Sequence, residues 1–187
     1  MTTDLNSHRE KLLACTKCEI RATCKAPVFG RGQAPAPYFF VGEAPGRDED
    51  SEGQPFVGQS GKLLDEFLIE AKIENYWISN VIACRPPQNR EPLLSEIENC
   101  SAHLLRQVHA VKPKVIVTLG ATAGSFFTNP YRPTAISTLR GKLRHVFGYW
   151  VVSTYHPAYY LRNRTPEIRR MILQDMGLAK QTVTQAS

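Results

Sequence analysis

The chain has 187 residues, of which 42% are hydrophobic and 21% are charged. This length and balance fit a single domain with a buried core and exclude an intrinsically disordered chain. The formal net charge of +6 favours a polyanionic partner such as nucleic acid. No stretch has the apolar length of a transmembrane helix, and the polar start lacks the apolar segment of a signal peptide. We therefore expect a cytoplasmic protein that is neither secreted nor bound to a membrane.

The N-terminal segment, residues 1–37, is expected to precede the core. Ser7 and Glu10 have the spacing of a capping box, which predicts a short helix leading to the pair Cys15 and Cys18. Residues 19–37 are rich in basic residues, Gly and Pro, which predicts an irregular connector. We expect the core over residues 38–180 and a disordered tail over residues 181–187.

The core shows apolar runs that alternate with helical patterns. The runs at 38–41, 76–83, 114–119 and 150–154 predict four buried strands. Helices are predicted after Gly58, from Ser95 to Val111, over 121–127 and from Thr165, with loop and edge structure over 128–145. This alternation predicts a single-domain three-layer α/β/α sandwich with a mostly parallel four-stranded central sheet.

A ligand site is expected where the strands end. Loops that leave parallel strands share one edge of the sheet, so the segments starting at Gly42, Asn80, Gly120 and Tyr155 should converge there. The loop after Gly42 is rich in glycine, which lets its backbone come close to a ligand.

The chain has five cysteines, and their spacing suggests a metal site. Cys15 and Cys18 form a C-x-x-C pair, while Cys84 and Cys100 flank a Pro-rich loop and the start of a helix. Four thiolates can bind zinc or hold a 4Fe-4S cluster, and the spacing does not separate the two. Cys24 is left over, and plain burial is the alternative for Cys84 and Cys100.

Several segments together resemble the family 4 uracil-DNA glycosylases, the iron-sulfur branch of the uracil-DNA glycosylase superfamily. The resemblance covers the chain from Cys15 to about residue 175. It rests on Gly42-Glu-Ala-Pro-Gly46 with Glu49-Asp50, Gly53-Gln-Pro-Phe-Val-Gly58, Asn80-Val81, Cys84-Arg-Pro-Pro-Gln-Asn-Arg90, Leu119-Gly120, Leu139-Arg-Gly141, Thr154-Tyr-His-Pro-Ala-Tyr-Tyr-Leu-Arg-Asn163 and the cysteines in order. It implies a 4Fe-4S cluster on Cys15, Cys18, Cys84 and Cys100 and leaves Cys24 unassigned.

The resemblance also implies an activity, the removal of uracil from DNA by hydrolysis of its N-glycosidic bond, which leaves an abasic site. Such an enzyme flips the nucleotide out of the stack and holds the base in a pocket. Phe56 would stack on the base, and the Asn80 amide would pair with O4 and N3–H of uracil but not with cytosine. His156 would donate a hydrogen bond to O2 as negative charge grows there.

The loop after the first core strand supplies the remaining pocket residues. Gly42 and Ala44 would line the base. Glu43 is the leading candidate to act near C1′ on the attacking water. The better-known branch of the superfamily carries its water-activating aspartate where this chain has Ala44, so backbone groups at Gly42 and Glu43 are the alternative. Glu49 would crowd C5 and disfavour thymine, or belong to a solvated acidic loop.

DNA is the expected partner, single- or double-stranded and containing uracil, bound by a monomer. Basic side chains near the strand ends would contact phosphates. These are Arg85, Arg90, Arg140, Lys142, Arg162 and Arg164. Tyr160 or Leu161 would wedge into the gap left by the flipped base.

Three alternatives remain at this point. The first is a glycosylase for another modified pyrimidine, since Arg47 stands where the family has an acidic or small residue. The second is a covalent uracil-DNA trap, although the chain lacks the extra basic loop of such proteins after Pro87. The third is a non-enzymatic iron-sulfur or zinc module that binds DNA.

Overall fold

The computed structural model describes residues 3–185. Its strands are β1 (Arg31–Gly32), β2 (Tyr38–Gly42), β3 (Tyr76–Asn80), β4 (Val115–Leu119), β5 (Leu143–Val146) and β6 (Tyr149–Thr154). Its helices are α1 (Thr3–Leu13), α2 (Arg47–Glu52), α3 (Gln59–Ala71), α4 (Leu94–Val111), α5 (Ala121–Thr128), α6 (Ile136–Leu139), α7 (Pro157–Arg162) and α8 (Pro166–Gln185). Short 3-10 turns cover Glu19–Ala22 and Pro87–Asn89.

The strands form one six-stranded mixed sheet in the order β1-β3-β2-β4-β6-β5. The four strands predicted from apolar runs are the parallel ones at its centre. The expected count of four was too low, because β1 and β5 add antiparallel edges. Neither carries an apolar run: β1 has two residues, and β5 alternates exposed with partly buried side chains.

Helices cover both faces of the sheet because successive side chains of its inner strands point to opposite faces. Phe39 and Val41 of β2 pack in one apolar cluster with residues of α1, α4 and α5. Tyr38 and Phe40 pack in a second cluster with residues of α3 and α8. All five residues of β2 are buried, as expected for a central parallel strand. Within residues 3–185, no helix combines the length and apolar character needed to cross a bilayer.

Two predicted helix starts were wrong, while a third is confirmed. α1 begins at Thr3, so Ser7 lies inside the helix. α4 begins at Leu94, and the Glu96 carboxylate accepts the Leu93 N–H at 2.8 Å. Thr165 does cap α8, since its Oγ1 accepts the Ile168 N–H at 3.2 Å.

Both end segments of the described chain contribute more to the packed fold than expected. Leu5 and Leu12 of α1 are fully buried in the cluster that includes Val108 of α4, so the N-terminal segment is part of the core. α8 continues to Gln185, with Thr182 buried. The tail expected to be disordered is therefore helical over residues 181–185, and residues 186 and 187 lie outside the described range.

A buried ion pair joins the segment before β5 to α8. Arg140 donates from Nε and Nη2 to the Asp175 carboxylate at 3.0 and 2.8 Å, and from Nη2 to the Met171 carbonyl at 3.1 Å. The side chains are 17% and 1% exposed. A charge left alone at such a site is destabilising, because neither water nor a partner solvates it.

We expect Asp175→Asn to lower the free energy of unfolding by about 3–5 kcal/mol, since it leaves the Arg140 guanidinium buried without a counter-ion. Urea unfolding followed by circular dichroism measures the change. Glu70→Gln is the matched control, because the Glu70–Arg169 pair is exposed and its loss should have a much smaller effect. Equal losses for the two variants would contradict the interpretation.

Candidate functional site

A deep groove opens at the carboxyl ends of the parallel strands. It is lined by residues from the loops after β2, β3, β4 and β6, among them Glu43, Asn80, Gly120, Tyr155 and His156. The convergence expected from the sequence is therefore confirmed. Phe56 and Glu49, from the long loop between β2 and α3, complete one wall.

The floor of the groove is set by the register of β2 on β3, in which Gly42 lies opposite Asn80. A Cβ atom on Gly42 would lie 2.4 Å from Asn80 Oδ1 and 2.5 Å from Phe56 Cζ. Only glycine leaves the amide and the ring enough space to meet at this point.

The Asn80 side chain is buried, and its Oδ1 atom has no hydrogen-bond partner among the described residues. Most buried polar atoms of a folded protein are paired, because an unpaired one costs free energy. Asn80 is among the residues that line the groove, so a ligand bound there is the natural source of the missing donor.

Phe56 forms one side of the part of the groove next to Asn80 and His156, which is called the niche below. Its side chain is 6% exposed, and its ring centroid lies 5.8 Å from that of His156, with a tilt of 32° between the rings. Its backbone has a φ of 55°, in the left-handed region that bulky residues rarely adopt. The two rings and the Asn80 amide thus surround one small volume.

His156 follows β6 and caps α7. Its Nδ1 accepts the Ala158 N–H at 3.1 Å, which leaves Nε2 as the protonated nitrogen of a neutral ring. Burial lowers the pKa of His156 to about 4, and nearby Arg162 acts in the same direction while Glu49 opposes it. The ring is therefore neutral at physiological pH and donates through Nε2.

Glu43 lines the groove and is partly buried. Burial raises the pKa of its carboxyl group, and the hydrogen bond donated by the Thr122 hydroxyl partly offsets this. A carboxylate with a raised pKa in a groove fits a general base. The neighbouring Ala44 also lines the groove and contributes only a methyl group.

Glu49 holds the loops of the groove together. Its carboxylate accepts backbone N–H groups from Gly46 at 3.1 Å, Val57 at 3.0 Å and Gly58 at 2.9 Å. These bonds join the loop after β2 to the segment that carries Phe56. A solvated acidic loop does not describe Glu49, which lines the groove through an anchored side chain.

Only part of the predicted DNA contacts face the groove. Arg85, Arg90 and Arg162 line it, whereas Lys142 and Arg164 are exposed but lie outside its lining. Arg90 binds Glu96 with both terminal nitrogens, at 2.9 and 2.6 Å.

Two predicted DNA contacts are bound within the protein. Arg140 is held by Asp175 as described above, so its charge is neutralised inside the protein. Tyr160 packs edge-on against Phe67, with ring centroids 5.6 Å apart, and is not among the residues that line the groove. Tyr159 lines the groove instead, stacked on Tyr155 at 4.8 Å, and Leu161 lines it as expected.

The cysteines meet in a second, largely apolar cavity near the end of β3. Cys15, Cys18, Cys84 and Cys100 all line it. Burial raises the pKa of Cys84 and that of Cys100, the latter to about 11. The fifth thiol, Cys24, is buried beside Cys84 and is not part of this lining.

The donor set and its setting fit a four-thiolate metal site, since four sulfurs in one apolar cavity are what zinc or a cluster requires. The four cysteines line the same cavity, but their side chains are not arranged around a common point as metal ligands are. Within residues 3–185, no three His, Cys, Asp or Glu side chains converge closely enough to hold a metal ion.

A short segment, residues 80–84, connects the groove to the cysteine cavity and is hydrogen-bonded to the chain on both sides. The Val81 and Ile82 N–H groups donate to the carbonyls of Gly42 and Glu43 at 2.9 and 3.1 Å. The Ala83 N–H donates to Cys100 Sγ at 3.3 Å.

Three residues of the site were not found from the sequence. They are Thr122, Arg31 and Tyr159. Thr122 binds Glu43, which is 79 residues away, and Arg31 binds Pro55, which is 24 residues away. Tyr159 stacks on Tyr155. Tyr159 alone carried a signal, because it belongs to the same short helix as Leu161.

Comparison with known proteins assigns the family. The model of the uracil DNA glycosylase superfamily matches residues 29–177. The chain is 43% identical over 174 residues to a type-4 uracil-DNA glycosylase of Thermotoga maritima, covering 91% of this chain and 90% of the relative. Type-4 uracil-DNA glycosylases of Archaeoglobus fulgidus and Saccharolobus solfataricus are 43% and 37% identical, covering 85% and 94% of this chain and 83% and 84% of theirs. The chain therefore belongs to the uracil-DNA glycosylase superfamily and, within it, to the type-4 uracil-DNA glycosylases.

Proposed function

We propose that this protein excises uracil from DNA, as a monofunctional glycosylase that leaves an abasic site. The observation that carries the proposal is the buried, unpaired Asn80 Oδ1, whose residue lines the same groove as Phe56 and His156. The family membership supports the same activity.

Recognition follows from the pattern of donors and acceptors. Asn80 Oδ1 accepts N3–H of uracil while Nδ2 donates to O4, and cytosine offers the reverse pattern at both positions. Phe56 stacks on the face of the base, and Gly42 and Ala44 line the niche. Glu49 keeps the wall in place and limits the space at C5, so that a methyl group there is disfavoured.

Hydrolysis needs stabilisation of two charges. As the bond between N1 and C1′ breaks, its electron pair goes to the uracil ring, and the neutral His156 donates a hydrogen bond to O2. The sugar becomes cationic, and the Glu43 carboxylate stabilises it. Glu43 also accepts the proton of the water that attacks C1′, with the Thr122 hydroxyl fixing its orientation.

In this proposal DNA lies along the groove, and one protein molecule binds each site. The protein acts in the compartment that contains the DNA. Arg85 and Arg162 contact phosphates without reading sequence, and Lys142 and Arg164 extend the basic surface beyond the groove. The bidentate bond to Glu96 leaves Arg90 a smaller role. Leu161 is the wedge, and Tyr159 offers its outer face to a neighbouring base.

Four thiolates hold a 4Fe-4S cluster in the cavity lined by Cys15, Cys18, Cys84 and Cys100 in this proposal. The donor set, the apolar setting and the family support it. When bound, the cluster supplies a covalent link between α4, the start of the chain and the end of β3. Cys24 is not a ligand.

The test uses labelled oligonucleotides that contain uracil, thymine, hydroxymethyluracil or hypoxanthine. We expect alkali-labile product from uracil alone. Asn80→Ala should slow excision by about 10²-fold or more, because it removes both directional contacts to the base. Glu70→Gln, on α3 outside the groove lining, is the control and should leave excision unchanged.

Other outcomes have distinct meanings. Product from another base only would replace uracil as the substrate, and a stable protein-DNA adduct would indicate a covalent trap. Binding without product would contradict an enzyme. Unchanged excision by Asn80→Ala would remove the recognition role of the amide.

The pH dependence of excision should report on Glu43. Because burial raises its pKa, the ionised form is lost as the pH falls, and single-turnover rates should begin to decline at a higher pH than an ordinary glutamate would give. His156 does not contribute to this decline, since its pKa is about 4 and it stays neutral. Glu43→Gln should give a lower rate with no acid limb. Thr122→Val should move the limb to higher pH, because it removes a bond that favours the ionised form.

Persistence of the acid limb in Glu43→Gln would show that another group titrates.

Protein purified without oxidants should be brown, with a broad visible absorption and about four iron atoms per chain. Cys100→Ala should lose this absorption, whereas Cys24→Ala, the matched control, should keep it. Colourless protein with stoichiometric zinc would contradict the cluster, and loss of colour in Cys24→Ala would contradict the choice of ligands.

A further inference from the structure

The backbone around Phe56 is held in an unfavourable conformation. Phe56 has a φ of 55°, a value that glycine adopts more easily. Glycines occur nearby at positions 53 and 58, but the residue in this conformation is a phenylalanine. A bulky side chain in the left-handed region persists only where the surroundings fix it. The contacts that fix this residue are therefore informative about the niche.

Arg31 of β1 binds the carbonyl side of this turn. Its Nε donates to the Pro55 carbonyl at 2.9 Å, and its Nη2 donates to the Phe56 carbonyl at 3.2 Å. The same Nη2 lies 3.5 Å from Asp65 Oδ1 of α3. The planar guanidinium matches two successive carbonyls, which a lysine ammonium does not.

The amide side of the turn is bound by the opposite charge. Glu49 Oε1 accepts the N–H groups of Val57 and Gly58. Two carbonyls and two N–H groups in a row are thus held by a cation and an anion. Gly61 closes the space underneath, since a Cβ there would lie 2.0 Å from the Phe56 carbonyl oxygen.

The ring orientation depends on this turn. With the backbone in the left-handed region, the Phe56 ring lies against Gly42 and near His156. An extended backbone at the same residue would carry the ring elsewhere. Arg31 does not line the groove itself, so any effect it has on the base passes through Phe56.

We propose that Arg31 is a positioning residue, which holds the Phe56 backbone in the left-handed conformation and so keeps the ring ready to stack on the extruded base. The proposal rests on the role given to Phe56 above. Arg31 acts before the base arrives, so its loss lowers the fraction of molecules with a formed niche.

A double-mutant cycle tests the proposal through single-turnover excision of uracil. Arg31→Met should slow excision by about 10- to 100-fold, the range expected for a misplaced contact. In a Phe56→Ala background the same change should slow excision by less than about twofold, because the ring it orients is gone. Arg31→Lys should restore little of the loss, since it keeps the charge without the fork.

Matched controls separate positioning from general damage. Arg169→Met removes an arginine that pairs with Glu70 of α3 on the surface, outside the groove lining, and should leave excision unchanged. Affinity for a duplex containing an abasic site should stay within about twofold in Arg31→Met, because that ligand has no base to stack. Asp65→Asn keeps Arg31 in place without its ion pair and should give an intermediate rate.

Three results would overturn the proposal: an Arg31→Met loss that is equally large in the Phe56→Ala background, full activity of Arg31→Met, or full activity of Phe56→Ala. If Arg31→Met does not fold, Arg31→Lys and Asp65→Asn carry the same cycle. Failure of the proposed function is distinct, because the wild-type protein would then release no uracil.

Discussion

The site depends on one backbone constraint, the pairing that sets Gly42 of β2 opposite Asn80 of β3. The absence of a side chain at Gly42 lets the Asn80 amide and the Phe56 ring occupy the space where a Cβ would be. A shift of the register by one residue would turn Asn80 to the other face of the sheet. The pairing of the buried strands β2 and β3 therefore sets the geometry of the niche. Buried strands hold these residues more firmly than loops alone would.

Charges inside the protein organise the loops around this point. Glu49 binds three backbone N–H groups, Arg31 binds two carbonyls, and Arg140 is neutralised by Asp175. Charge-assisted hydrogen bonds are stronger than neutral ones, so they hold the backbone of these loops firmly. These two cations and two anions cancel, so the net charge of +6 is carried by the other side chains.

The sequence was sufficient for the parallel strands and for the niche. Apolar runs mark the strands, and Asn80 at the end of β3 and His156 just after β6 lie at the expected edge. The edge strand β1 was missed because it is too short to show a period, whereas β5 overlaps the segment expected to hold loop and edge structure. The contacts of Arg140 and Tyr160 within the protein were not foreseen, because their partners, Asp175 and Phe67, are far along the chain. The strained φ of Phe56, and hence the significance of Arg31, is visible only in three dimensions.

The five residues from Asn80 to Cys84 form the only stretch of chain needed to travel from the base niche to the thiol cavity. Hydrogen bonds to Gly42, Glu43 and Cys100 along this stretch leave it little slack. The backbone that carries the Asn80 amide at one end therefore carries the Cys84 thiol at the other, and the same bonds to the loop after β2 and to α4 hold both.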